Sequence, residues 1–269
     1  MQHIEQLVTK SIRQSKPPRI LAISPHLDDA VLSIGATLAS LTSKGSSATV
    51  FTAFAGIPDP PYSPAACHIH DTWGLRDQPV HARRAEDIAA LRYLNAMPKH
   101  GEFLDLIYRV PAETVEDIFE YSAREHDSQL VTTVADAIIR LIEAQTPDVV
   151  LTCAAVGGHT DHRHARDATI TACTTTRLPL FLWEDIPYAM HFHDIPGLPA
   201  NVKLSDRVLG SHNDAEAFNI KYDAIECYAS QQAELWRNDD FRALLDEHAE
   251  TRPNLSGRDS RAELLWGID

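Results

Sequence analysis

Apolar and polar stretches alternate along the chain and predict strands and helices in turn. Arg19–Ser24 is a short apolar run that stops at Pro25, which is typical of a buried strand. From Asp28 to Gly45 the apolar residues recur at helical spacing, and the glycine is a stop signal. Ala48–Ala55 is a second apolar run. A strand, a helix and a strand within about forty residues make a βαβ unit, which predicts a parallel sheet.

The rest of the chain continues this alternation. Further helices are predicted at His81–Asn95, Thr132–Gln145 and Lys221–Trp236, and further strands at Asp148–Ala155 and Leu178–Trp183. Residues 56–79 are rich in Pro, His and Asp, and we expect a long functional loop there. The tail that follows the last predicted helix is polar.

This pattern predicts an α/β fold with one doubly wound, Rossmann-like domain. We expect a mostly parallel sheet with helices on both faces and the active site at the carboxyl ends of the strands. Residues 1–18 are expected to form an N-terminal lead that stops at Pro17-Pro18, and residues 19–269 a single catalytic domain.

Composition narrows the class of protein. Hydrophobic residues make up 44% and charged residues 23% of the 269 residues, as in an ordinary soluble protein. No apolar run approaches the roughly 20 residues that cross a bilayer, and the polar N-terminus lacks the apolar segment of a secretory signal. The four cysteines are scattered, so a reduced, cytoplasmic protein is expected. The net charge of -14 argues against nucleic acid and anionic membranes as partners.

Three polar clusters follow directly after three predicted strands. They are Pro25–Asp29, Gly158–His162 and Trp183–Asp185. The carboxyl ends of parallel strands meet at one rim of a sheet, and ligand sites form there. We therefore expect the three clusters to build one site.

The residue types in these clusters suit a hydrolytic metal centre. Two imidazoles and a carboxylate with one open position form such a zinc site, and zinc lowers the pKa of the water that it binds to about 7. A further carboxylate can take the proton of the water and pass it to the leaving amine. Asp28 and Asp29 together offer both roles, although two aspartates at a helix start are also common N-caps.

The same segments resemble a known family. SPHLDDAVLSIGATLA is similar to the first signature of the LmbE/PIG-L-type zinc de-N-acetylases, commonly PHPDDE, and GGHTDHRHARDA is similar to the second, commonly HPDH. RRAEDIAAL, FLDLIYR, LWEDIPYA and KYDAIECYASQ extend the similarity over nearly the whole chain. Four segments most resemble the sequences of the deacetylases of glycopeptide-antibiotic biosynthesis, which act on N-acetylglucosaminyl intermediates. These segments are SPHLDDAVLS, YSPAA, FLDLIYR and WEDIPYA.

The resemblance implies a role for each residue of the two motifs. It implies His26, Asp29 and His162 as ligands of a zinc ion. The same ligand set accepts other divalent metals, so Fe²⁺ stays open as an alternative. The resemblance also implies Asp28 as general base and later acid. His159 is expected to steady the oxyanion or assist the leaving group, and we expect its imidazole to be charged at the working pH.

Three positions depart from the family pattern. Leu27 and Thr160 stand where proline is usual, and Ala30 stands where glutamate is usual. None of these changes removes a ligand. The missing glutamate takes away a group that could orient a ligand, so metal tuning and substrate choice are expected to differ.

Four further residues are candidates around this site. The resemblance favours Arg83 near the sugar hydroxyls, although Arg83 and Glu86 are also spaced as a surface ion pair. It makes Asp105 a candidate for contact with the sugar. Glu184 and Asp185 either orient a ligand histidine or cap the next turn.

Two other histidine-containing segments carry weaker signals. Cys67–Asp71 could hold a second metal, but such a cluster in a loop is more often polar lining or surface. His164 follows His162 by two residues. On a helix the two side chains diverge, so we do not count His164 as a ligand.

The expected function is zinc-dependent removal of an N-acetyl or other N-acyl group from an amino sugar or an amino-sugar-bearing metabolite, in natural-product biosynthesis. Two alternatives stay open, a metal-containing binding or regulatory module without turnover and a deacylase of a non-sugar amide. A phosphate substrate is disfavoured because the strand ends lack a Lys/Arg cluster. Residues 56–79 and 191–212 are expected to select the acyl group and the scaffold. The oligomeric state is left open.

Overall fold

The computed structural model describes residues 2–3, 16–122, 127–200, 202–237, 239–251 and 261–268. Within these residues the strands are β1 Gln2–His3, β2 Arg19–Ser24, β3 Ser47–Thr52, β4 Ala96–His100, β5 Val149–Cys153, β6 Leu180–Trp183, β7 Leu204–His212 and β8 Ala262–Ile268. The helices are α1 Asp29–Ser43, α2 Pro64–Thr72, α3 Pro79–Tyr93, α4 Leu106–Arg109, α5 Val115–Ser122, α6 Ser128–Gln145, α7 Thr160–Thr176, α8 Ala215–Glu226, α9 Gln232–Trp236 and α10 Phe241–Thr251. A single turn of 3₁₀ helix spans Tyr188–Met190.

All of these strands belong to one sheet with the order β1-β7-β8-β6-β5-β2-β3-β4. β6, β5, β2, β3 and β4 run parallel, whereas β8 lies antiparallel between β6 and β7. Helices α1, α3 and α8 pack against one another, α6 packs against α7, and the two groups flank the sheet. The predicted α/β fold with a mostly parallel sheet is confirmed.

The centre of the sheet is apolar on both of its faces. In β2, Leu21, Ala22 and Ile23 have no exposed surface, because strands lie on both sides and helices cover both faces. β5 is buried along its whole length for the same reason. Continuous apolar runs without alternation are the expected signature of such strands, and here they form the strands that lead into the site.

The second predicted strand and the predicted loop after it differ from the structure. β3 ends at Thr52, three residues before the predicted end, where the chain turns away from the sheet. Residues 56–79 are not a continuous loop, because they contain α2. The Ser63 hydroxyl accepts a hydrogen bond from the N–H of Ala66, so a serine N-cap followed by Pro64 starts this helix.

The helix predicted at Lys221–Trp236 is two helices, α8 and α9. The carboxylate of Glu86 on α3 accepts hydrogen bonds from the N–H and the hydroxyl of Ser230, at 2.9 and 2.6 Å. This contact holds the turn between the two helices. Glu86 therefore binds Ser230 and does not form the surface ion pair with Arg83 that its spacing suggested.

The tail that was predicted to be polar contributes an inner strand of the sheet. β8 lies between β6 and β7, and Leu264 and Leu265 are buried there. A short apolar run after a long polar stretch carries little periodic signal. The strand position therefore depends on pairing with β6 and β7, which the local pattern does not contain.

β8 also completes α1. The helix is irregular at Ile34, and the N–H groups of Ala36 and Thr37 donate to the carboxylate of Glu263 on β8. Glu263 is buried and pairs with Lys221 at 2.7 Å. The backbone N–H groups that the irregularity leaves without helical partners thus bond to the buried carboxylate of Glu263.

The first residues of the expected lead join the sheet. Gln2 and His3 pair with β7, parallel to it. Residues 1 and 4–15 of the lead lie outside the described residues, and its division from a catalytic domain at residue 18 stays a prediction. No described helix has the length and apolar character to cross a membrane.

Candidate metal and active site

The three polar clusters of the sequence meet at one edge of the sheet. β2 and β5 are neighbours, and β6 follows on the other side of β5. The chain leaves β2 toward His26 and Asp29, leaves β5 toward His159 and His162, and leaves β6 toward Asp185. The prediction that parallel strand ends bring the clusters together is confirmed.

Asp29 lies between the two histidines of the predicted ligand set. Its Oδ2 atom is 3.3 Å from Nδ1 of His26 and 3.3 Å from Nε2 of His162. The same oxygen accepts a hydrogen bond from the backbone N–H of His26 at 2.8 Å, which closes the turn from β2 into α1. One carboxylate oxygen and two imidazole nitrogens therefore converge on one point.

Two buried carboxylates fix the imidazole rings. Oδ1 of Asp185 lies 2.7 Å from Nδ1 of His162, and Oδ2 of Asp161 lies 3.2 Å from Nε2 of His26. In each ring the other nitrogen faces Asp29. Carboxylates in this position set the tautomer and the orientation of metal-binding histidines.

The donor set fits a divalent metal ion. Nε2 of His162 is buried and has no hydrogen-bond partner among the described residues, which is unusual for a buried nitrogen without a ligand. Imidazole and carboxylate donors suit zinc and iron. His26, His159 and His162 also have donor atoms within 4.8 Å of one another. His159 is therefore a further candidate ligand, which the sequence had placed in a different role.

The predicted metal ligands have strongly shifted pKa values. Burial lowers the pKa of His26, but the carboxylates around it, Asp105 first, outweigh this effect and raise it well above the usual value. Burial raises the pKa of Asp29, but His162 and His26 outweigh this effect and lower it. Since histidine must lose its proton to bind a metal, a metal ion bound by these residues would release protons on binding.

Asp28 is the neighbour of Asp29 and has the opposite character. It is 7% exposed, and burial raises its pKa to about 7, with Arg83 acting against the shift and Asp29 adding to it. Nη2 of Arg83 lies 3.4 Å from Oδ2 of Asp28. A carboxyl group whose pKa lies near neutrality suits general acid–base catalysis.

His159 faces the ligand set from the start of α7. Its ring centre lies 5.0 Å from that of His26 and 5.2 Å from that of His162. Nδ1 accepts a hydrogen bond from the N–H of Asp161 at 3.2 Å, so a neutral ring carries its proton on Nε2. Burial and the two histidines lower the pKa of His159 to about 3. A pKa this low leaves the imidazole neutral at the working pH, contrary to the expectation of a charged ring. The role of His159 toward the oxyanion stays a prediction.

The two predicted substrate contacts line the cavity and also have protein partners. The guanidinium carbon of Arg83 lies 4.6 Å from the ring centre of Trp73, and the group faces Asp28. Oδ2 of Asp105 lies 3.9 Å from Nε2 of His26, while its other oxygen caps α4. Contact with a sugar stays a prediction for both residues.

The two acidic residues after β6 have different partners. Asp185 contacts His162, whereas the carboxylate of Glu184 lies 3.0 Å from Nε2 of His248 on α10. Consecutive side chains at a strand end point to opposite sides. The prediction that Glu184 orients a ligand histidine is corrected accordingly, and Asp185 alone of this pair is placed for that role.

Asp161 was missed by the sequence analysis. Besides contacting His26, it accepts hydrogen bonds from Nη2 of Arg109 at 2.6 Å and from the N–H of Leu106 at 2.9 Å, and it has no exposed surface. It therefore ties α4 to the ligand His26. Its position inside the HTDH motif is the signal that could have identified it.

Neither of the weaker histidine segments forms a metal site among the described residues. His70, on α2, shares a hydrogen bond of 2.9 Å with the hydroxyl of Tyr108. His164 is buried, and its Nε2 accepts a hydrogen bond from the N–H of Asp127 at 3.1 Å. Both histidines therefore have structural partners.

The site opens into a cavity of about 850 Å³. Apolar side chains form much of its lining, among them Ile69, Trp73, Ile107, Ile118, Met190 and Leu244. Residues 56–79 contribute Ile69 from α2 and Trp73 just after it, and residues 191–212 contribute His191 and His193. Selection of the acyl group and the scaffold by these two segments stays a prediction.

Known proteins share these features. Residues 21–173 match the PIG-L family, described as GlcNAc-PI de-N-acetylase, and this range includes both histidine motifs. The match confirms the family resemblance of the two motifs.

Solved structures and curated relatives agree with this match. A deacetylase of the teicoplanin biosynthesis pathway is 41% identical, with a TM-score of 0.84 over 93% of this chain and 98% of the other. The A40926 pseudoaglycone deacetylase is also 41% identical, with a TM-score of 0.81 over 94% of this chain and 98% of the other. The 2'-N-acetylparomamine deacetylase of Niallia circulans is 26% identical over 91% of this chain and 88% of the relative.

Proposed function

Because the chain is a deacetylase of the PIG-L (GlcNAc-PI de-N-acetylase) family, we propose that it removes the N-acetyl group from an amino sugar that is attached to a larger natural product. The convergence of His26, Asp29 and His162 on one point carries this proposal most directly. Asp28 lies beside that point, and His26, Asp28 and Asp29 line the cavity.

His26, Asp29 and His162 would hold a divalent metal ion, for which we propose zinc, with Fe²⁺ as the alternative. A metal of this kind supplies a more acidic water and polarises the carbonyl group of the amide. The carboxylates of Asp161 and Asp185 keep both imidazoles in the orientation that the ion requires.

The protein's own groups move the protons. Asp28 takes a proton from the water that attacks the carbonyl carbon, and it returns this proton to the nitrogen as the C–N bond breaks. His159 donates from Nε2 to the carbonyl oxygen, where negative charge develops. Arg83 holds the carboxylate of Asp28 in place. The products are acetate and the free amino sugar.

The size and lining of the cavity support an amino sugar on a scaffold. Ligand pockets typically span about 300–1,000 Å³, and the cavity of about 850 Å³ lies in the upper part of this range. It therefore has room for a sugar and part of a further group. Its apolar lining suits an aromatic or aliphatic scaffold. The relatives named above are a 2'-N-acetylparomamine deacetylase, a deacetylase of teicoplanin biosynthesis and the A40926 pseudoaglycone deacetylase, which agrees with this choice.

The test measures acetate release and metal content on the same preparation. Metal-free protein is loaded with one equivalent of Zn²⁺ or Fe²⁺ and given an N-acetylglucosaminyl glycopeptide pseudoaglycone or a simple N-acetylglucosamine glycoside. We expect about one ion per chain and faster turnover of the larger substrate. Because one similar protein is a zinc-inhibited form of teicoplanin deacetylase, zinc is also tested in excess.

Two variants test the ligand set. His162→Ala should lose most of the bound metal, since it removes the nitrogen that faces Asp29. His81→Ala, at an exposed histidine of α3, serves as the matched control and should keep it. Full metal content in His162→Ala would refute the ligand assignment. Wild-type protein that binds these sugars but releases no acetate with any metal would instead be a binding module.

A further inference from the structure

Tyr188 lines the cavity next to the proposed metal ligands. It begins the single 3₁₀ turn after β6 and shares the cavity wall with Asp28 and Asp29. Its ring meets the ring of His162 edge to face, with 5.2 Å between the centres, and lies 6.4 Å from the ring of His159. The side chain therefore lies beside the proposed metal ligands at the cavity wall.

The ring of Tyr188 has little freedom to move. Gly157 has a φ of +80° and lies so close that a Cβ atom there would be 2.8 Å from Cδ1 of the tyrosine. His162 bounds the ring on another side. The N–H of Ala189 donates to the carbonyl oxygen of Asp185 at 2.8 Å, which anchors the turn. A donor held in this way costs no reorganisation when charge develops.

The hydroxyl of Tyr188 differs from those of three other tyrosines that are buried or half-buried. Tyr228 donates to Asp87 at 2.8 Å, Tyr108 shares a hydrogen bond with His70, and Tyr222 donates to Asp246. For Tyr188, no hydrogen bond of the hydroxyl is found within the described ranges. Buried tyrosine hydroxyls usually have a partner. A hydroxyl that faces a substrate cavity without one has its donor available for a ligand.

We infer that the hydroxyl of Tyr188 donates a hydrogen bond to the carbonyl oxygen of the scissile N-acetyl group. This inference rests on the proposed deacetylation. Together with Nε2–H of His159, whose ring centre lies 6.4 Å from that of Tyr188, it makes a two-donor oxyanion hole beside His162. Both donors are neutral, so they stabilise the developing charge without repelling a metal cation.

The test compares Tyr188→Phe with wild type. Phenylalanine keeps the ring that packs on Gly157 and His162 and removes only the hydroxyl. We expect kcat to fall about 10²-fold, the scale of one lost oxyanion donor. KM and metal content should stay near the wild-type values. Tyr93→Phe, at an exposed tyrosine on α3, is the matched control and should leave kcat unchanged.

A binding measurement tests the same contact without turnover. Metal-free wild-type protein should bind methyl N-acetylglucosaminide more tightly than its N-thioacetyl analogue, because sulfur is the poorer acceptor. The expected preference is roughly 3- to 10-fold, the range of one net hydrogen bond. In Tyr188→Phe this preference should become smaller, because Nε2–H of His159 is then the remaining donor to the carbonyl oxygen.

Each outcome decides between the hydroxyl's roles. An unchanged kcat with a raised KM in Tyr188→Phe would mean that the hydroxyl binds another part of the sugar, and the inference would be wrong. Loss of metal from this variant would overturn it as well, because the tyrosine would then act on the ligands. If wild type releases no acetate, the proposed function itself fails. Active wild type with a fully active Tyr188→Phe rejects only the inference.

Discussion

Asp28 and Asp29 are adjacent in the sequence, and their surroundings shift their pKa values in opposite directions. Asp29 lies between two imidazoles that outweigh its burial, so its pKa is lowered. Burial raises the pKa of Asp28 to about 7, and the guanidinium of Arg83 does not cancel this shift. Pairs of carboxyl groups whose environments separate their pKa values divide roles in this way. The charged group suits a metal, and its neighbour suits proton transfer.

The role of Asp28 predicts a variant that keeps the metal and loses activity. Asp28→Asn preserves the shape of the side chain, but an amide cannot take a proton from water. We expect kcat to fall by about 10²-fold or more, the contribution of a general base. Elemental analysis should show an unchanged metal content. Asp136→Asn, at an exposed aspartate of α6, is the control. Near-normal turnover of Asp28→Asn would assign the base to another group.

His159 is predicted to act on the carbonyl oxygen and not on the metal. His159→Ala should keep the metal and lower kcat by roughly 10²-fold, since it removes one oxyanion donor. Metal analysis and steady-state kinetics on one preparation separate this role from ligation. The geometry also permits a ligand role, because the ring lies close to both ligand histidines. Loss of metal in this variant would make His159 a ligand.

At the scale of elements, the site depends on β2 and β5 lying side by side in register. At the ends of these strands that lie away from the site, the carboxylate of Asp148 accepts a hydrogen bond from the backbone N–H of Arg19 at 2.8 Å. It also accepts one from Nε of the Arg19 side chain at 3.2 Å. These bonds lower the pKa of Asp148, and the bond from the Arg19 side chain has the largest effect.

This contact predicts a pH-dependent contribution to stability. A carboxylate whose pKa is lowered in the folded state contributes stability above its unfolded pKa of about 3.9, and the contribution is lost as the pH falls through the folded value. Asp148→Asn should therefore have a slightly lower urea midpoint than wild type at pH 7. The difference should vanish on acidification below about pH 4. A difference that is constant from pH 7 to pH 2.5 would contradict the ionic origin.

Some helices and strands can be predicted from the local pattern of apolar residues, and others cannot. β2 and α1 follow from apolar spacing and a glycine stop, because their neighbours in sequence determine them. The break between α8 and α9 comes from Glu86, which binds Ser230 from another helix. No pattern within Lys221–Trp236 contains that contact.

At the scale of the whole molecule, the site joins segments that are far apart in the sequence. His26 lies in the turn between β2 and α1, Asp29 is the first residue of α1, and His162 belongs to α7. An ion held by all three residues links these parts only in the folded chain. Metal binding is therefore expected to stabilise the native state.

Metal removal should lower the melting temperature. With free metal at about 100 times its Kd, binding stabilises the native state by about 2.7 kcal/mol, which corresponds to roughly 5–10 °C for a chain of this size. Calorimetry of the metal-free and metal-loaded protein checks this shift. His162→Ala should show much less of it. An equal shift in that variant would mean that the ion binds elsewhere.

The sequence by itself determined the elements and motifs that are local. The buried parallel strands could be predicted from unbroken apolar runs. The HxxD motif comes after β2 and the HTDH motif after β5, so the position of the site at the strand ends could be predicted as well. The resemblance of these motifs to a known family indicated the family. Asp185 was also within reach, because it follows β6 in the same way.

Only the tertiary structure decided which side chains meet. In the folded chain Glu184 contacts His248, and Asp161 contacts His26. Burial in the fold raises the pKa of Asp28 to about 7. The tertiary structure also inserted β8 into the sheet. Each of these outcomes depends on partners from distant segments. Burial and charge pairing arise only when those segments pack together, so no local spacing of residues contains them.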